Sequence, residues 1–537
     1  MTAVMETFDH IVIGAGSAGC AIASRLSEDA SRRVLLLEAG GRDTSQKIHV
    51  PGGYFWMMYD PKFSWCYETE AVPGSNNRPM VWPRGKVLGG SSSINGLIYI
   101  RGQQQDYDHW RQLGNTGWSF DDVLPFFRKA EDNERGGDDF HGADGPLQVS
   151  DIRGHRAICE SLIDAAEARG IPRNPDFNGA VQEGAGYYQT TTRNGRRSSA
   201  AVGYLKRARN RANLKIETSA MTSRILIEDG RAVGVRYLQD GREIEARATG
   251  DIVLSGGAIN SPQLLQISGI GPGALLQKIG VDVIVDLPGV GENLQDHYQA
   301  RLVHQTHPGM SLNEDVAGPL RRARVGLEYI LKRTGPLTVA AGQVGIFLKT
   351  RPELATPDIQ AHFICFSADN PTEQKLHDYP GVTFSVCQLR PESRGHVRAR
   401  SSDTNTRPEI QPNFLDTPND CRTMVDGLKT AREIAGEAAY AQHVKAETLP
   451  GPHVTSDEDL LDYVRETGGT IYHPSGTCKM GPDPMAVVDE RLRVRGIDNL
   501  RVADCSIMPT VVSGNTNAPA IMIGEKCAAM IREDSRA

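Results

Sequence analysis

Hydrophobic residues near the start of the chain come in short unbroken runs separated by one helical stretch. His10 to Ile13 is such a run, Ser17 to Leu26 carries apolar residues at helical spacing, and Val34 to Leu37 is unbroken again before Glu38. Runs of this kind read as strands buried on both faces, so the pattern predicts strand, helix and strand in an α/β sheet. Between the first strand and the helix stand Gly14, Gly16 and Gly19. Gly14 permits a sharp turn, Gly16 lets backbone amides approach a pyrophosphate at the helix N-terminus, and Gly19 lets the helix pack close to the sheet. Glu38, about 20 residues on, sits where a carboxylate accepts hydrogen bonds from a ribose. Such glycine spacing alone is common in turns. With both strands and the acid in register it is a dinucleotide fingerprint, which does not choose between NAD and FAD.

Further along, His49 to Tyr59 is a Gly/Pro/aromatic segment that reads as a covering loop. Arg78 to Gly102 gathers Gly85, Gly89, Gly90, three serines and Asn95 before the apolar Leu97 to Ile100, which is expected to be a strand. A run so rich in amides and hydroxyls suits close approach to a flat, polar-edged cofactor. Trp118 to Asn133 has the spacing of an amphipathic helix capped at Ser119, and Arg197 to Ala212 that of a helix with a solvated basic face. Leu214 to Ile216, Arg224 to Ile227 and Val233 to Tyr237 are expected strands, the last two joined as a hairpin. Asp251 to Gly271 reads as a strand ending at glycines, then a helix with Pro262 near its first turn. Leu287 to His297 is a turn-rich exit.

From about Tyr298 to Gly468 the glycine fingerprints stop. Strand-like runs (Ile359 to Phe366, Val382 to Leu389, Gly395 to Arg398) and helices (Pro319 to Leu331, Asn419 to Glu437) suggest a second, sheet-plus-helix domain. At 537 residues the chain is long enough for two or three domains. The expected division is residues 1–155, 197–297 and 469–537 for the dinucleotide domain, and 156–196 with 298–468 for a substrate domain.

Charge and cysteine content narrow the class of protein. A formal charge of −7 with only short, interrupted Lys/Arg clusters disfavours nucleic acid binding. No apolar run is long enough to span a bilayer, and the first strand begins too early to leave room for a secretory apolar region. The expectation is a cytoplasmic protein, with peripheral contact at the inner membrane face left open. Nine scattered cysteines without C-x-x-C spacing argue for reduced thiols and against a zinc site.

The last stretches carry candidate chemistry. Tyr472 to Gly481 places His473 in a turn before Pro474, and Val502 to Ile531 ends on a helix with Pro519 near its start and Asn515, Thr516 and Asn517 ahead of it. Such a helix N-terminus stabilises developing negative charge. On these motifs the sequence resembles the glucose-methanol-choline (GMC) family of FAD-dependent alcohol oxidoreductases nearly end to end. G-K-V-L-G-G-S-S-S-I-N-G-L-I-Y (Gly85 to Tyr99) and G-A-I-N-S-P-Q-L-L-Q-I-S-G-I-G (Gly257 to Gly271) match its two signatures. W-P-R-G-K, Y-H-P-S-G-T-C-K-M-G and S-G-N-T-N-A-P make the layout most like choline dehydrogenase-type and medium-chain alcohol dehydrogenase-type members.

The resemblance implies a Rossmann-like FAD domain and a substrate domain with an antiparallel sheet flanked by helices. It places the pyrophosphate at Gly14, Gly16, Ser17, Ala18 and Gly19, the adenosine ribose at Glu38 and Ala39, and the adenine beside Thr222. It puts Arg84, Gly85, Leu88, Gly89, Gly90, Ser92, Asn95, Gly96 and Ile98 against the flavin. Gly257, Asp504, Cys505, Asn515, Asn517 and Pro519 complete the cofactor set. His473 aligns with the family's active-site histidine and Asn515 with its second active-site position, although Asn517 is the alternative inward amide. Where some relatives carry a histidine joined covalently to the flavin, this chain has Ile94, so FAD is expected to bind noncovalently.

The implied reaction removes two electrons from a CH–OH carbon. An alcohol does not ionise near neutrality, so a base must take its proton as hydride leaves for the flavin. His473 is the expected base and Asn515 the expected holder of the substrate oxygen. A dehydrogenase using a quinone is favoured over an oxidase using O2, with a hydroxynitrile lyase-type flavoprotein as the non-redox alternative. His297, His362, His396 and His453 show no partner pattern and read as structural or surface residues. The expected substrate walls, Gly52 to Met58, Thr338 to Phe347 and His362 to Ser367, hold no obvious carboxylate for a quaternary ammonium, which favours a neutral primary alcohol over choline. A Ser-His-Asp hydrolase is unsupported, since no G-x-S-x-G elbow follows a strand. Oligomeric state is unreadable.

Overall fold

Five parallel strands in the order Leu214–Thr218, Val34–Glu38, His10–Ile13, Ile252–Leu254 and Leu500–Val502 form the sheet on which the dinucleotide fingerprint sits. The computed structural model describes residues 6–369 and 373–535; the chain ahead of Glu6, where no secretory segment was expected, lies outside them. His10–Ile13 and Val34–Glu38 are buried at every position, which is why their sequences run apolar without alternation. Helix Ser17–Leu26 packs on the sheet so tightly that a Cβ at Gly19 would lie 1.9 Å from the Gly14 carbonyl oxygen. Gly14 itself has φ +97°, which only glycine adopts without strain. The C-terminal helix Asn517–Asp534 crosses beside it, with the backbone of Ala18 2.6 Å from where a Cβ of Gly524 would stand.

The hairpin Ala220–Glu228 and Arg231–Gln239 continues through Arg242–Ala248 to Glu6–Phe8 as a four-stranded sheet flanking the first. A third, larger sheet has seven strands. Its main path is Val444–Leu449, Tyr298–Thr306, Gly381–Gln388, Ile359–Ile364, Val344–Leu348 and Gly184–Tyr187, with Gly469–Thr470 pairing beside Tyr298. Its pairings are antiparallel. Two main apolar cores result. One lies around the parallel sheet and the C-terminal helix, the other between the antiparallel sheet and the helices Ala157–Ala168 and Pro418–Ala435.

Several sequence expectations need correction. His49 to Tyr59 is not an open loop: it winds through short helical turns, Pro51–Gly53 and Tyr54–Met57, because Ile48 and Met57 are drawn into a small core with Phe63, Val87 and Ile94. Leu97 to Ile100 is not a strand, since Leu97 is left-handed at φ 74° and only Ile98 bridges to a neighbour, at Thr190. Pro262 lies in the middle of helix Gly257–Ile267 rather than in its first turn. The predicted basic helix at Arg197 to Ala212 shrinks to a π turn, Ala201–Leu205, followed by Lys206–Ala208. Arg197 belongs to a short strand with Arg196 and is 2% exposed. Helix Phe120–Ala130 forms within the expected Trp118 to Asn133, closed by a capping box in which Ser119 and Asp122 satisfy each other's backbone amides, but Glu131–Asn133 is a strand instead of its last turn.

Candidate active site

A long cleft opens between the parallel and antiparallel sheets, and both contribute walls to it. One end is built from the fingerprint. Glu38 accepts the amides of Ala15 at 3.0 Å and Gly40 at 2.8 Å, which fixes its carboxylate at the end of its strand. Burial raises its pKa to about 7 against the pull of those amides and of Lys86. Thr222 lines the same end with a buried hydroxyl that has no partner among the described residues. Helix Ser17–Leu26 begins without a side-chain cap, so its first amides are free to meet an anion from the cleft.

The segment from Arg84 to Ile98 is laid across the fingerprint. Gly89 N–H donates to the Ala15 carbonyl at 2.8 Å, and Leu88 N–H to Gly41 at 3.0 Å. Gly90, at φ +52°, lies so close that a Cβ there would be 2.7 Å from Gly16 Cα. Two residues flanking the cleft, Leu97 at φ 74° and Tyr472 at φ 72°, hold left-handed backbone that bulky side chains disfavour, at a cost of about 1–3 kcal/mol each. At the middle of the cleft Asp504 accepts from Gly257 N–H at 2.8 Å, Ser261 Oγ at 2.6 Å and Ser506 N–H at 2.8 Å. Ser17 Oγ donates to Asn517 Oδ1 at 2.7 Å, while Asn517 Nδ2 is buried and without a partner. The C-terminal helix, like the first, starts without a side-chain cap.

At the far end His473 and His362 line the cleft, with His297 behind His473. His473 Nδ1 is 3.0 Å from His297 Nδ1, and His473 Nε2 is 3.3 Å from Asn515 Nδ2. His297 Nε2 meets the Leu389 carbonyl at 3.2 Å, and a carbonyl only accepts, so that nitrogen carries the proton. Burial holds the His297 pKa down at about 4, so the ring is neutral and its Nδ1 is an acceptor. His473 must therefore donate from Nδ1, which leaves its lone pair on Nε2. A second chain of bonds reaches the same assignment. Tyr188 donates to the Ala361 carbonyl and accepts from Gln360 Nε2 at 2.9 Å; Gln360 Nε2 also donates to Asn515 Oδ1 at 3.2 Å, so the Asn515 amino group faces His473. Burial first, then His297, His362 and Arg84, depress the His473 pKa well below its ordinary value. Behind the ring, Asp296 accepts the His473 backbone N–H at 2.7 Å and the Thr470 hydroxyl, which fixes the turn.

Most of the residues expected from sequence line this one cleft: Gly14, Gly16, Ser17, Ala18, Glu38, Ala39, Arg84, Gly85, Gly90, Asn95, Gly96, Ile98, Thr222, Gly257, Asp504, Cys505, Asn515, Asn517 and His473. Gly19, Leu88, Gly89, Ser92 and Pro519 do not; they stand behind the wall. The Ser92 hydroxyl, for example, donates to Gly89 O at 2.5 Å and accepts from Ala200 N–H at 2.9 Å. The reading of His297 and His362 as lone structural or surface residues is overturned. His297 touches His473 across 176 residues of sequence, and His362 lines the cleft with its pKa lowered by burial to about 4. No local spacing could have signalled either contact. Arg197, expected in solvent, is buried and donates to Ile48 O at 2.9 Å, Ser92 O at 3.1 Å and Asn95 Oδ1 at 2.7 Å, fixing the loop that carries Asn95.

A dinucleotide cleft with two uncapped helix starts, glycines pressed backbone to backbone and a lone-pair imidazole at its far end defines a cofactor-dependent oxidoreductase. Comparison with known proteins makes the class specific. GMC oxidoreductase sequence models match residues 8–299 and 391–524. Alcohol dehydrogenase (acceptor) from Pseudomonas putida is 44% identical over 533 residues, covering 98% of this chain and 95% of its own length. Human mitochondrial choline dehydrogenase is 43% identical over 540 residues, covering 98% of this chain and 90% of its own. The crystal structure of pyridoxine 4-oxidase from Mesorbium loti superposes with a TM-score of 0.88 at 30% identity, covering 99% of both chains. The chain belongs to the GMC oxidoreductase family. It is an FAD-dependent oxidoreductase acting on CH–OH donors, and the cleft fits that cofactor: the unpartnered Thr222 hydroxyl and Asn517 amide lie along it, and Gly16 and Gly90 leave no side chain in its way.

Proposed function

We propose that the chain oxidises a neutral primary alcohol to the aldehyde, with His473 as the base and Asn515 as the donor that holds the substrate oxygen. Bound FAD supplies the two-electron acceptor. Gly14 to Ala18 and Glu38 would hold its ADP half, and Asn95, Gly96, Asp504 and Asn517 its flavin half. The observation that carries the reading is the lone pair on His473 Nε2, fixed there from the Leu389 carbonyl through His297. A substrate hydroxyl in front of His473 loses its proton to Nε2, and the Asn515 amino group offers a hydrogen bond to the oxygen as negative charge gathers on it. His473 is buried and Asn515 half-buried, so little water has to be shed at the moment of reaction. Asn515 is preferred to Asn517 because its amino group lies 3.3 Å from His473 Nε2, whereas the Asn517 side chain is held towards Ser17. Ile94 at the edge of the cleft supports noncovalent attachment.

Around this end the walls come from Tyr54, Met58, Ala341 and Ile364. The two acids that line the cleft, Glu38 and Asp504, already accept backbone amides at the cofactor end. A cation such as choline therefore finds no free carboxylate, which favours a neutral alcohol. In this reading residues 1–155, 197–297 and 469–537 make the FAD domain and residues 156–196 with 298–468 the substrate domain. The alcohol dehydrogenase (acceptor) relative favours a non-oxygen acceptor, a quinone in the cell, whereas several choline dehydrogenase relatives are named oxygen-dependent. The pyridoxine 4-oxidase neighbour keeps oxidase activity as the second reading. An alcohol panel followed by anaerobic flavin bleaching tests the proposal, with peroxide measured against dye reduction for the best substrate. His473→Ala should keep its FAD and lose bleaching by about 100-fold or more. Bleaching at the parent rate would remove His473 from the reaction, and rapid peroxide formation in air would replace dehydrogenase by oxidase.

A further inference from the structure

Helix Pro319–Lys332 is built inside out. Its apolar residues recur at helical spacing, but only Val325 and Tyr329 face the protein. Leu320, Leu327, Ile330 and Leu331 point away from it, 86%, 57%, 66% and 70% exposed. Placed at 100° per residue, these four share one stripe with Ala323, opposite the buried pair. Arg324 borders the stripe on one side, with Arg321 and Lys332 farther round, Arg322 lies beyond its other edge, and Arg333 stands at the C-cap over the Tyr329 ring at 4.8 Å. None of the five forms an ion pair among the described residues; Arg321 and Arg322 donate to the carbonyls of Glu314 and Val316 at 2.7 and 2.9 Å. Glu328, the one acid on the helix, accepts from the Thr334 hydroxyl at 3.1 Å.

Large aliphatic side chains left in water along one stripe mark a contact surface. The helix is anchored well enough to present it, since Tyr329 OH donates to the Gly195 carbonyl at 2.9 Å. Charge selects the partner. The whole chain carries −7, yet this face is locally basic, so it seeks an anionic surface. Face-to-face pairing with a second copy would set these cations against their own equivalents. Among the described residues no helix is long and apolar enough to cross a membrane, so any membrane contact made by helices is made from outside.

We propose that this helix docks the protein on an anionic phospholipid surface, with Leu320, Leu327, Ile330 and Leu331 entering the acyl boundary and the arginines and Lys332 meeting lipid phosphates. The geometry is that of an interfacial amphipathic helix lying in the membrane plane. Docking leaves the cleft close to the lipid. Beyond the helix the turn Pro336–Thr338 packs on Gly52, with Leu337 O 3.4 Å from where its Cβ would stand, and the chain then reaches Ala341 on the cleft wall. The docking itself does not depend on the alcohol chemistry.

Flotation of the holoenzyme with vesicles tests it, using phosphatidylcholine alone and phosphatidylcholine with about 30 mol % phosphatidylglycerol. The parent should float with the mixed vesicles and lose roughly five-fold or more of that binding on pure phosphatidylcholine or at high salt. Two variants, Leu327→Ser/Ile330→Ser/Leu331→Ser and Arg321→Gln/Arg322→Gln/Arg324→Gln, should each bind on the order of ten-fold less while dye-coupled alcohol oxidation in solution stays within about two-fold of the parent. A parent that does not float, or that floats equally well with either variant, overturns the proposal. So does a parent dimer that the serine variant converts to monomer without any vesicle binding, which would make the face a self-interface.

Discussion

Replacing His297 by Phe removes the acceptor that fixes the proton on His473 Nδ1. The ring volume is roughly kept, but the Nδ1–H 3.0 Å away is left buried and unpaired. Leaving a buried donor unsatisfied costs about 1–3 kcal/mol, equivalent to roughly 5–150-fold in rate if it falls wholly on the reacting state. His473 regains a partner only by turning or by moving its proton to Nε2, and either change withdraws the lone pair from the substrate. Stopped-flow bleaching of the flavin by a good alcohol under anaerobic conditions should slow by about 10–100-fold. His297→Asn, whose amide oxygen can stand near the lost Nδ1, should recover part of that loss. A merely structural role predicts no such ordering of the two variants. If His297→Phe binds FAD normally, melts like the parent and bleaches within about two-fold of it, the tautomer argument is wrong.

Other expectations concern pH and cofactor retention. His297, His304 and His362 are held near pKa 4 by burial and His473 is depressed as well, whereas burial raises Asp296 and Glu38 to about 7. Below pH 6.5 the unfolded chain takes up protons on the histidines that the folded chain refuses, so folding stability falls as pH drops from about 6.5 towards 4. The two raised carboxyls act oppositely, binding protons first in the folded state between their unfolded values and about 7. Four groups against two leave a net loss of about 2–3 kcal/mol per pH unit near pH 5.5. Melting temperature should therefore decline between pH 6.5 and 5; a flat or rising profile would contradict the buried neutral histidines. Gly90→Ala should yield protein largely free of FAD, because the new methyl would drive apart Gly90 and Gly16, and full flavin absorbance relative to protein would show that the contact yields.

The fingerprint was readable because a parallel strand is buried on both faces and must be apolar throughout; helix Ser17–Leu26 and strand Val34–Glu38 form where their patterns placed them. The motifs from Gly85 to Gly96 and from Asn515 to Asn517 were readable as resemblance, and their residues line one cleft. What could not be read is contact between distant side chains. His297 sits in an unremarkable turn, and only the antiparallel sheet that carries Tyr298 back past Thr470 brings it to His473. Arg197 fails differently. Its neighbours Arg196 and Arg207 suggested a solvated face, but its three acceptors are carbonyl and amide oxygens, which leave no acidic partner in the sequence to reveal burial. Leu97 to Ile100 misled because apolar composition signals burial, while strand pairing depends on what lies alongside.

The bond from Ser17 Oγ to Asn517 Oδ1 joins residues 500 apart. Arg25 and Glu525, also 500 apart, make a second such tie at 2.8 Å. Synthesis proceeds from the N-terminus, so the glycine turn emerges from the ribosome long before the helix that closes on it. Until Asn517 and Gly524 arrive, one flank of helix Ser17–Leu26 lies open and the cofactor cleft lacks a wall. A nascent chain can fold its first strands early, but it acquires a complete flavin site only once Asn517 and the helix it opens have been made. Cofactor loading is thereby tied to synthesis of helix Asn517–Asp534, and a ribosome-stalled fragment ending before Asn517 should remain colourless.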